Sequence, residues 1–261
     1  MNLPKRIKEI IGDRQYSEDT VGMSDAQVIC FDDFILKIER LSEEAENEYK
    51  VMEWLADKLP VPQIICYEKE SNMSYLLMSK LVGEMSCSAA LMEKPKQLVT
   101  MLAEGLKMLW KIDISSCPCF NPIDNKLKLA EIRTKQNLIN IEDAETGTFG
   151  DGGFKSPEEL LQWLKDNKPV EEPVFAHGDY CLPNIFIKDN EINGFIDLGR
   201  SGVADKYQDI ALCYRSLKHN FDGSYGGIIH VDFNAESLFD DLGIEPDWEK
   251  IKYYILLDEL F

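Results

Sequence analysis

The sequence has no apolar run approaching the roughly 18 residues that a membrane-spanning helix needs, so it offers no candidate span. Its seven cysteines (Cys30, Cys66, Cys87, Cys117, Cys119, Cys181 and Cys213) form no C-x-x-C pair and no Cys/His cluster at zinc spacing, which argues against a zinc module. The count is odd, and Met1-Asn-Leu-Pro-Lys-Arg begins no apolar signal segment, so reduced thiols in a cytoplasm are expected. Positive charge is scarce. With 28 Lys and Arg against 47 Asp and Glu, the net charge is −19 and the pI about 4.6. Nucleic acid and anionic membrane both require a basic footprint, so neither is an expected partner, whereas a cationic small molecule is favoured. No internal repeat or low-complexity segment is present. The 261 residues, 44% hydrophobic, suffice for a core in one large domain or two small ones.

The acids are unevenly placed. Residues 142–172 carry a net −6 and residues 232–261 a net −7. Either two solvated helix faces or one negatively charged cleft accounts for this.

The first eighty residues read as strands with one helix. Val28 to Phe31 and Phe34 to Ile38 flank Asp32-Asp33 as the arms of a hairpin, which puts Lys37 inside a strand. Tyr49, Met52, Leu55 and Leu59 recur at helical spacing from Ser42 to Leu59, and Pro60-Val-Pro62 stops that helix. Ile64 to Tyr67 and Tyr75 to Met78, separated by Ser71-Asn72, form a second hairpin. Beyond residue 80 the pattern is mainly helical. Pro95 opens a helix with a Leu98, Leu102, Leu106 and Leu109 seam, Ser156-Pro-Glu-Glu159 is a capping-box start, and Pro246-Asp-Trp248 opens a last helix. Gly147 to Gly153 reads as a loop. One strand island interrupts the helices: Pro173 to Ala176, a polar loop from His177 to Asn184, and a hairpin ending at Asp197.

A carboxylate that ends the apolar strand Gly194-Phe-Ile196 costs several kcal/mol unless it is paired or bound to metal. Magnesium takes one or two protein oxygen ligands plus substrate phosphates, which suits Asn184 and Asp197 to a metal–nucleotide site. Asp179-x-x-x-x-Asn184 followed by Asp197-Leu-Gly199 has the order of a kinase catalytic loop and metal-binding motif. With His177-Gly-Asp179, Phe195-Ile-Asp-Leu-Gly-Arg-Ser-Gly202-x-Ala-Asp205, Gly22-Met-Ser24, Leu36-Lys37 and the terminal Pro246 to Phe261 segment, the chain resembles the aminoglycoside 3'-phosphotransferases, the antibiotic-resistance kinases.

The resemblance implies an α+β, protein-kinase-like two-lobed fold. An antiparallel sheet lobe over residues 1–80 would bind nucleotide, and a larger, mainly helical lobe over residues 81–261 would carry catalysis and the acceptor. It further implies transfer of the γ-phosphoryl of MgATP, or of GTP, to the 3'-hydroxyl of a kanamycin- or neomycin-like aminoglycoside by a monomer. Asp179 would then be the catalytic base, with Asn184 and Asp197 on Mg2+. Lys37, held by Glu48 rather than Glu44, would bind the α/β-phosphates. Ser24, although Gly22-Met-Ser24 holds no G-x-G-x-x-G, would bind the nucleotide. Backbone groups from Ser79 to Leu81 would meet the adenine, and Arg200 would contact phosphate or steady the acid loop. Taken alone, Lys37 reads as an ordinary strand lysine, and His177 as a core histidine bonded to backbone. Cys181 is a potential alkylation site.

On the acceptor side Glu259 and the carboxylate of Phe261 stand where the family grips a polycation. Thr146 and Phe149 stand where acids are expected in the preceding loop, and His219 and Asn220 replace a further pair, followed by an inserted Gly223-Ser-Tyr-Gly-Gly227. These departures bear on substrate choice before chemistry. They leave two rivals: a kinase of another small hydroxylated amine or sugar, and an inactive nucleotide-binding pseudokinase.

Overall fold

A computed structural model describes residues 3–19, 26–225 and 229–261. The chain begins with helix α1 (Lys5–Ile11) and strands β1 (Ser17–Asp19), β2 (Gln27–Cys30) and β3 (Phe34–Arg40), followed by helix α2 (Glu43–Leu55) and strands β4 (Ile64–Glu70) and β5 (Met73–Ser79). These strands form one antiparallel sheet in the order β1-β2-β3-β5-β4. The two expected hairpins are present, and Ser71 and Asn72 both take the left-handed backbone that a tight β4–β5 turn needs.

Side chains alternate across the sheet with period two. Leu36, Ile38, Tyr75 and Leu77 pack with Ile7 and Ile11 of α1 on one face, so Lys37 and its cross-strand neighbour Leu76 face the other, where α2 lies. Ser42 caps α2 by accepting from Ala45 N–H at 3.1 Å. The regular helix stops at Leu55, four residues short of the expected Leu59; residues 56–58 continue as turns, and Pro60 bars residue 59 from helical dihedrals. Leu59 closes a turn onto the Leu55 carbonyl and stays buried.

The rest is mainly helical: β6 (Glu84–Met85), α3 (Ala89–Met92), α4 (Pro95–Trp110), α5 (Ile123–Lys135), α6 (Pro157–Asp166), β7 (Pro173–Ala176), β8 (Ile185–Lys188), β9 (Glu191–Phe195), β10 (Gly202–Asp205), α7 (Lys206–Asp222), α8 (Ser237–Leu242) and α9 (Trp248–Asp258). At the start of α6, Ser156 Oγ accepts from Glu159 N–H, but the Glu159 carboxylate takes Lys155 N–H, one residue before the partner a reciprocal box would use. β10 pairs with β7, and β6-β8-β9 form a small sheet, so two strand pairs clamp the loop from His177 to Asn184. A continuous core runs from Val51, Met52 and Leu55 of α2 through the Leu98, Leu102, Leu106 and Leu109 seam to Ile251 and Leu257 of α9. No helix among the described residues is long and apolar enough to cross a membrane.

Candidate active site

Lys37 lies at the meeting point of three elements. Its Nζ sits 2.7 Å from Glu48 Oε2 on α2 and 2.9 Å from Asp197 Oδ1 beyond β9, with Glu39 at 3.6 Å. Burial would lower the Lys37 pKa, but the carboxylates of Glu48 and Asp197 outweigh it and raise the group above its ordinary value. Burial pushes the Glu48 carboxyl up against the opposing pull of Lys37, and the same lysine holds Asp197 below the usual carboxylate range despite desolvation. Of the two glutamates on α2 weighed from sequence, Glu48 makes this pair, while Glu44 approaches Arg200 at 3.6 Å.

Asp197 has a left-handed backbone (φ 58°), a conformation that costs an L-residue about 1–2 kcal/mol and persists where surroundings enforce it. Asn47 steadies the turn that follows, its Nδ2 donating to the carbonyls of Gly199 and Ser201 at 2.7 and 2.8 Å. Gly178 is needed for a similar reason. Its φ is 89°, and a Cβ there would land on the Arg200 carbonyl oxygen, so the catalytic loop and the metal-motif turn touch through this glycine.

Asp179 follows directly. Asn184 Nδ2 donates to its carbonyl oxygen and its Oδ2, both at 3.0 Å. Burial, reinforced by the nearby Asp258, raises the Asp179 carboxyl above its ordinary pKa, with Arg200 opposing. His177 is fully buried and held neutral by desolvation; its Nδ1 accepts from Asp179 N–H at 3.3 Å, the backbone-bonding role read from sequence. The surroundings of Cys181, the potential alkylation site, disfavour its thiolate. Burial beside Asp179 drives its thiol well above the ordinary range, so little reactive thiolate forms.

Asp209, Asn47 and Arg215 escaped the sequence reading as parts of the site. Buried Asp209 on α7 accepts from His177 N–H and Gly178 N–H at 2.6 and 2.9 Å, pinning the loop from below. Its signal was an acid flanked by the apolar run Ile210-Ala-Leu212. Asn47 and Arg215 carried no such local mark, whereas Glu145 is one of the acids of the 142–172 stretch, beside the altered Thr146 and Phe149. Arg215 bridges Asp258, Glu259 (3.3 Å) and Glu145 (3.7 Å). Glu145 also contacts His219 Nε2 at 2.9 Å, and its N–H donates to Glu259 Oε2 at 2.9 Å. Thus Glu145 provides a carboxylate beside the positions where Thr146 and Phe149 replace the expected acids. Burial lifts Glu259 to about 7, with the Glu145 N–H and Arg215 pulling the other way.

The remaining expected residues are placed as follows. Arg200 loosely approaches Asp258 at 3.6 Å and lies 5.6 Å from the Phe261 ring centroid. Ser79 N–H donates to the Gln63 carbonyl and its Oγ accepts from Gln63 N–H, at 2.9 Å each, which leaves its carbonyl and its hydroxyl proton for a base. Leu81 packs against Gly194 of β9. Ser24 lies outside the described residues. No group of three or more His, Cys, Asp or Glu side chains suited to a metal occurs among the described residues. A magnesium site built from one carboxylate, one amide oxygen and nucleotide phosphates needs none. The Asn184 and Asp197 donors fit such an ion: with Asn184 Nδ2 turned to Asp179, its Oδ1 is the oxygen available.

A sheet-borne lysine paired to a helix glutamate, facing an Asp–Asn loop and a second Asp, defines a kinase-like phosphotransferase. The chain belongs to the aminoglycoside 3'-phosphotransferases: the model of the phosphotransferase enzyme family matches residues 16–253. It is 40% identical to an aminoglycoside 3'-phosphotransferase of Enterococcus faecalis over 100% of this chain and 99% of that one, and 40% identical to one of Staphylococcus aureus with the same coverage. Among solved structures, the aminoglycoside phosphotransferase APH(3'')-Id of Streptomyces rimosus superposes with a TM-score of 0.81, covering 97% of this chain and 95% of that one at 23% identity, and so shares the fold. That protein has also been captured with ADP and streptomycin. The present chain is accordingly an ATP-dependent phosphotransferase acting on a hydroxyl group.

Proposed function

We propose that the chain transfers the γ-phosphoryl of MgATP, with GTP as an alternative donor, to the 3'-hydroxyl of a kanamycin- or neomycin-like aminoglycoside in the cytoplasm, acting as a monomer. The single observation that carries the chemistry is the convergence of Lys37, Glu48 and Asp197 beside the Asp179–Asn184 pair. Residues 1–80 form the nucleotide lobe in this reading and residues 81–261 the acceptor lobe. Lys37 holds the α/β-phosphates while Glu48 keeps its ammonium extended. Ser24 binds the nucleotide, and the Ser79 carbonyl with the Leu81 backbone meets the base. Bound through Asn184 and Asp197, Mg2+ would supply charge neutralisation for the transferring phosphoryl group.

Asp179 orients the acceptor hydroxyl and accepts its proton. Phosphoryl transfer passes through a loose transition state, so the gain comes mainly from position, and a base raised above the ordinary carboxylate range suits late proton transfer. Arg200 lies between this loop and Asp258 and neutralises charge as the phosphoryl group moves. A polycationic acceptor is recognised by Glu145, Asp258, Glu259 and the terminal carboxylate of Phe261, with Arg215 keeping the first three together.

The test is a coupled nucleotide-turnover assay across kanamycin- and neomycin-type drugs, with choline and amino sugars as controls and the phosphorylated position assigned by NMR. Turnover with the drugs and a 3'-phosphate product is expected. Turnover restricted to choline or amino sugars would transfer the same site to the rival acceptor class.

A further inference from the structure

We propose that Tyr225, in the segment inserted after α7, is a specificity residue for the acceptor, its ring forming with the Glu145 carboxylate a seat for one ammonium group of an amino-sugar ring. The inference rests on the aminoglycoside reading above and adds to it a residue that meets the acceptor with an aromatic face where a negative charge is missing.

The backbone brings Tyr225 back to the carboxylate cluster. Helix α7 ends at Gly223, whose φ of 88° breaks it, and Asp222 Oδ1 accepts from Ser224 N–H at 2.9 Å and from the Ser224 hydroxyl at 2.5 Å, so the chain turns sharply. Tyr225 N–H then donates to the His219 carbonyl at 3.3 Å, and the two ring centroids lie 5.2 Å apart with their planes tilted by 35°. The same imidazole holds Glu145. Its Nε2 is 2.9 Å from that carboxylate, while Nδ1, buried and without a partner among the described residues, exerts no competing pull. His219 therefore positions an acid and an aromatic ring side by side. Burial raises the Tyr225 phenol, with the Arg215 guanidinium opposing and the carboxylates of Glu145 and Asp258 adding to the rise, so the ring lies within electrostatic reach of the whole cluster.

This pair suits a cation. Tyr225 is 63% exposed, which leaves ring surface open to a ligand. An aromatic face attracts an ammonium through its quadrupole, and the neighbouring carboxylate strengthens the seat. Arg215 does not repel such a group, because Asp258, Glu259 and Glu145 already surround it. Two acids at positions 219 and 220 would attract any polycation, whereas the ring adds a demand of shape, favouring an ammonium whose sugar can lie against it.

The experiment is steady-state kinetics of the full chain with ATP and with kanamycin and neomycin, for the wild type, Tyr225→Phe, Tyr225→Leu and Tyr225→Ala. The exposure of Tyr225 makes all three substitutions compatible with folding. The KM for the drug should stay within about twofold in Tyr225→Phe and rise about fivefold in Tyr225→Leu and Tyr225→Ala, with kcat and the KM for ATP within about twofold throughout. An unchanged KM in Tyr225→Ala would overturn the assignment. So would an equal loss in Tyr225→Phe, which moves the contact to the hydroxyl, or full retention in Tyr225→Leu, which reduces it to apolar packing. Absence of wild-type turnover with both drugs would instead overturn the aminoglycoside reading, and this inference with it.

Discussion

The Lys37 centre and the Arg215 cluster are built from the same materials, one cation and several carboxylates, but they divide burial differently among the partners. At Lys37 the cation is 13% exposed; its tightest partner, Glu48, is 3% exposed and Asp197 48%, so the Lys37–Glu48 pair is hidden from water while Asp197 faces out of it. At Arg215 the partners range from 5% for Glu259 to 31% for Glu145, and the group opens toward solvent. A buried pair fixes geometry rigidly because an unpaired charge there is expensive, while a half-exposed one tolerates rearrangement and exchange of partners. The first arrangement suits a reaction that never varies, and the second suits recognition of cations that differ in shape.

The sharpest way to break the comparison is at the rigid centre. Asp179→Ala should lower kcat by about 10²–10⁴-fold, the usual worth of a positioned base, while nucleotide affinity measured by titration stays within about twofold. Retained turnover would remove Asp179 from its assigned role. Lys37→Met should raise the KM for ATP and reduce kcat/KM by about 10²-fold, since one charge-assisted anchor of about 1.5–3 kcal/mol is lost. It also leaves Glu48 buried without its cation. That carboxyl will take up a proton, so the Lys37→Met,Glu48→Gln double variant should melt at least as high as Lys37→Met alone.

The rigid centre was also the legible one. Asp179, Asn184 and Asp197 fall within nineteen consecutive positions, and the strands that carry them are short, local and bounded by turn residues, so spacing alone transmits the chemistry. Lys37 and Glu48 are eleven positions apart, on a strand and the helix that follows it. The Arg215 cluster joins residues separated by up to 114 positions in the Glu145–Glu259 bond, and no periodicity records such a contact. A strict positional match pointed to Thr146 and Phe149 as lost acids. The chain supplies Glu145 one position earlier, where its backbone and its side chain reach Glu259 and His219 respectively. Asn47 was hidden differently: its work is to hold two backbone carbonyls of a strained turn, and nothing in an exposed-looking helical Asn announces that.

At the exposed cluster the first test is of its keystone. Arg215→Ala would leave Asp258, Glu259 and Glu145 together without their shared cation. Stability should fall by about 2–4 kcal/mol, somewhat below the cost of breaking a fully buried pair, as measured by urea unfolding. The loss should be larger at pH 8 than at pH 5, because Glu259, lifted to about 7, takes up a proton at the lower pH and relieves the repulsion. A loss that is equal at both pH values would mean that Arg215 acts by packing alone.

Glu259 provides the finest discrimination between the two regions. Its carboxyl is lifted to about 7, so in the free protein it is mostly neutral at pH 6 and mostly ionised at pH 8. A cationic drug binds the ionised form better, so its KM should fall by up to about tenfold as the pH rises across that interval, with the KM for ATP changing far less. The drug promotes this ionisation in turn, releasing a fraction of a proton on binding near pH 7, which calorimetry in buffers of different ionisation enthalpy detects. Folding responds with the opposite sign. Because the folded state holds this proton at pH values where the unfolded chain has lost it, the group favours the folded state below about pH 4 and progressively disfavours it between there and about 7. Glu259→Gln should flatten both the KM profile and the proton release while leaving the kcat profile, set at Asp179, in place. A KM profile that stays steep in this variant would place the recognising charge elsewhere in the cluster, at Glu145 or Asp258.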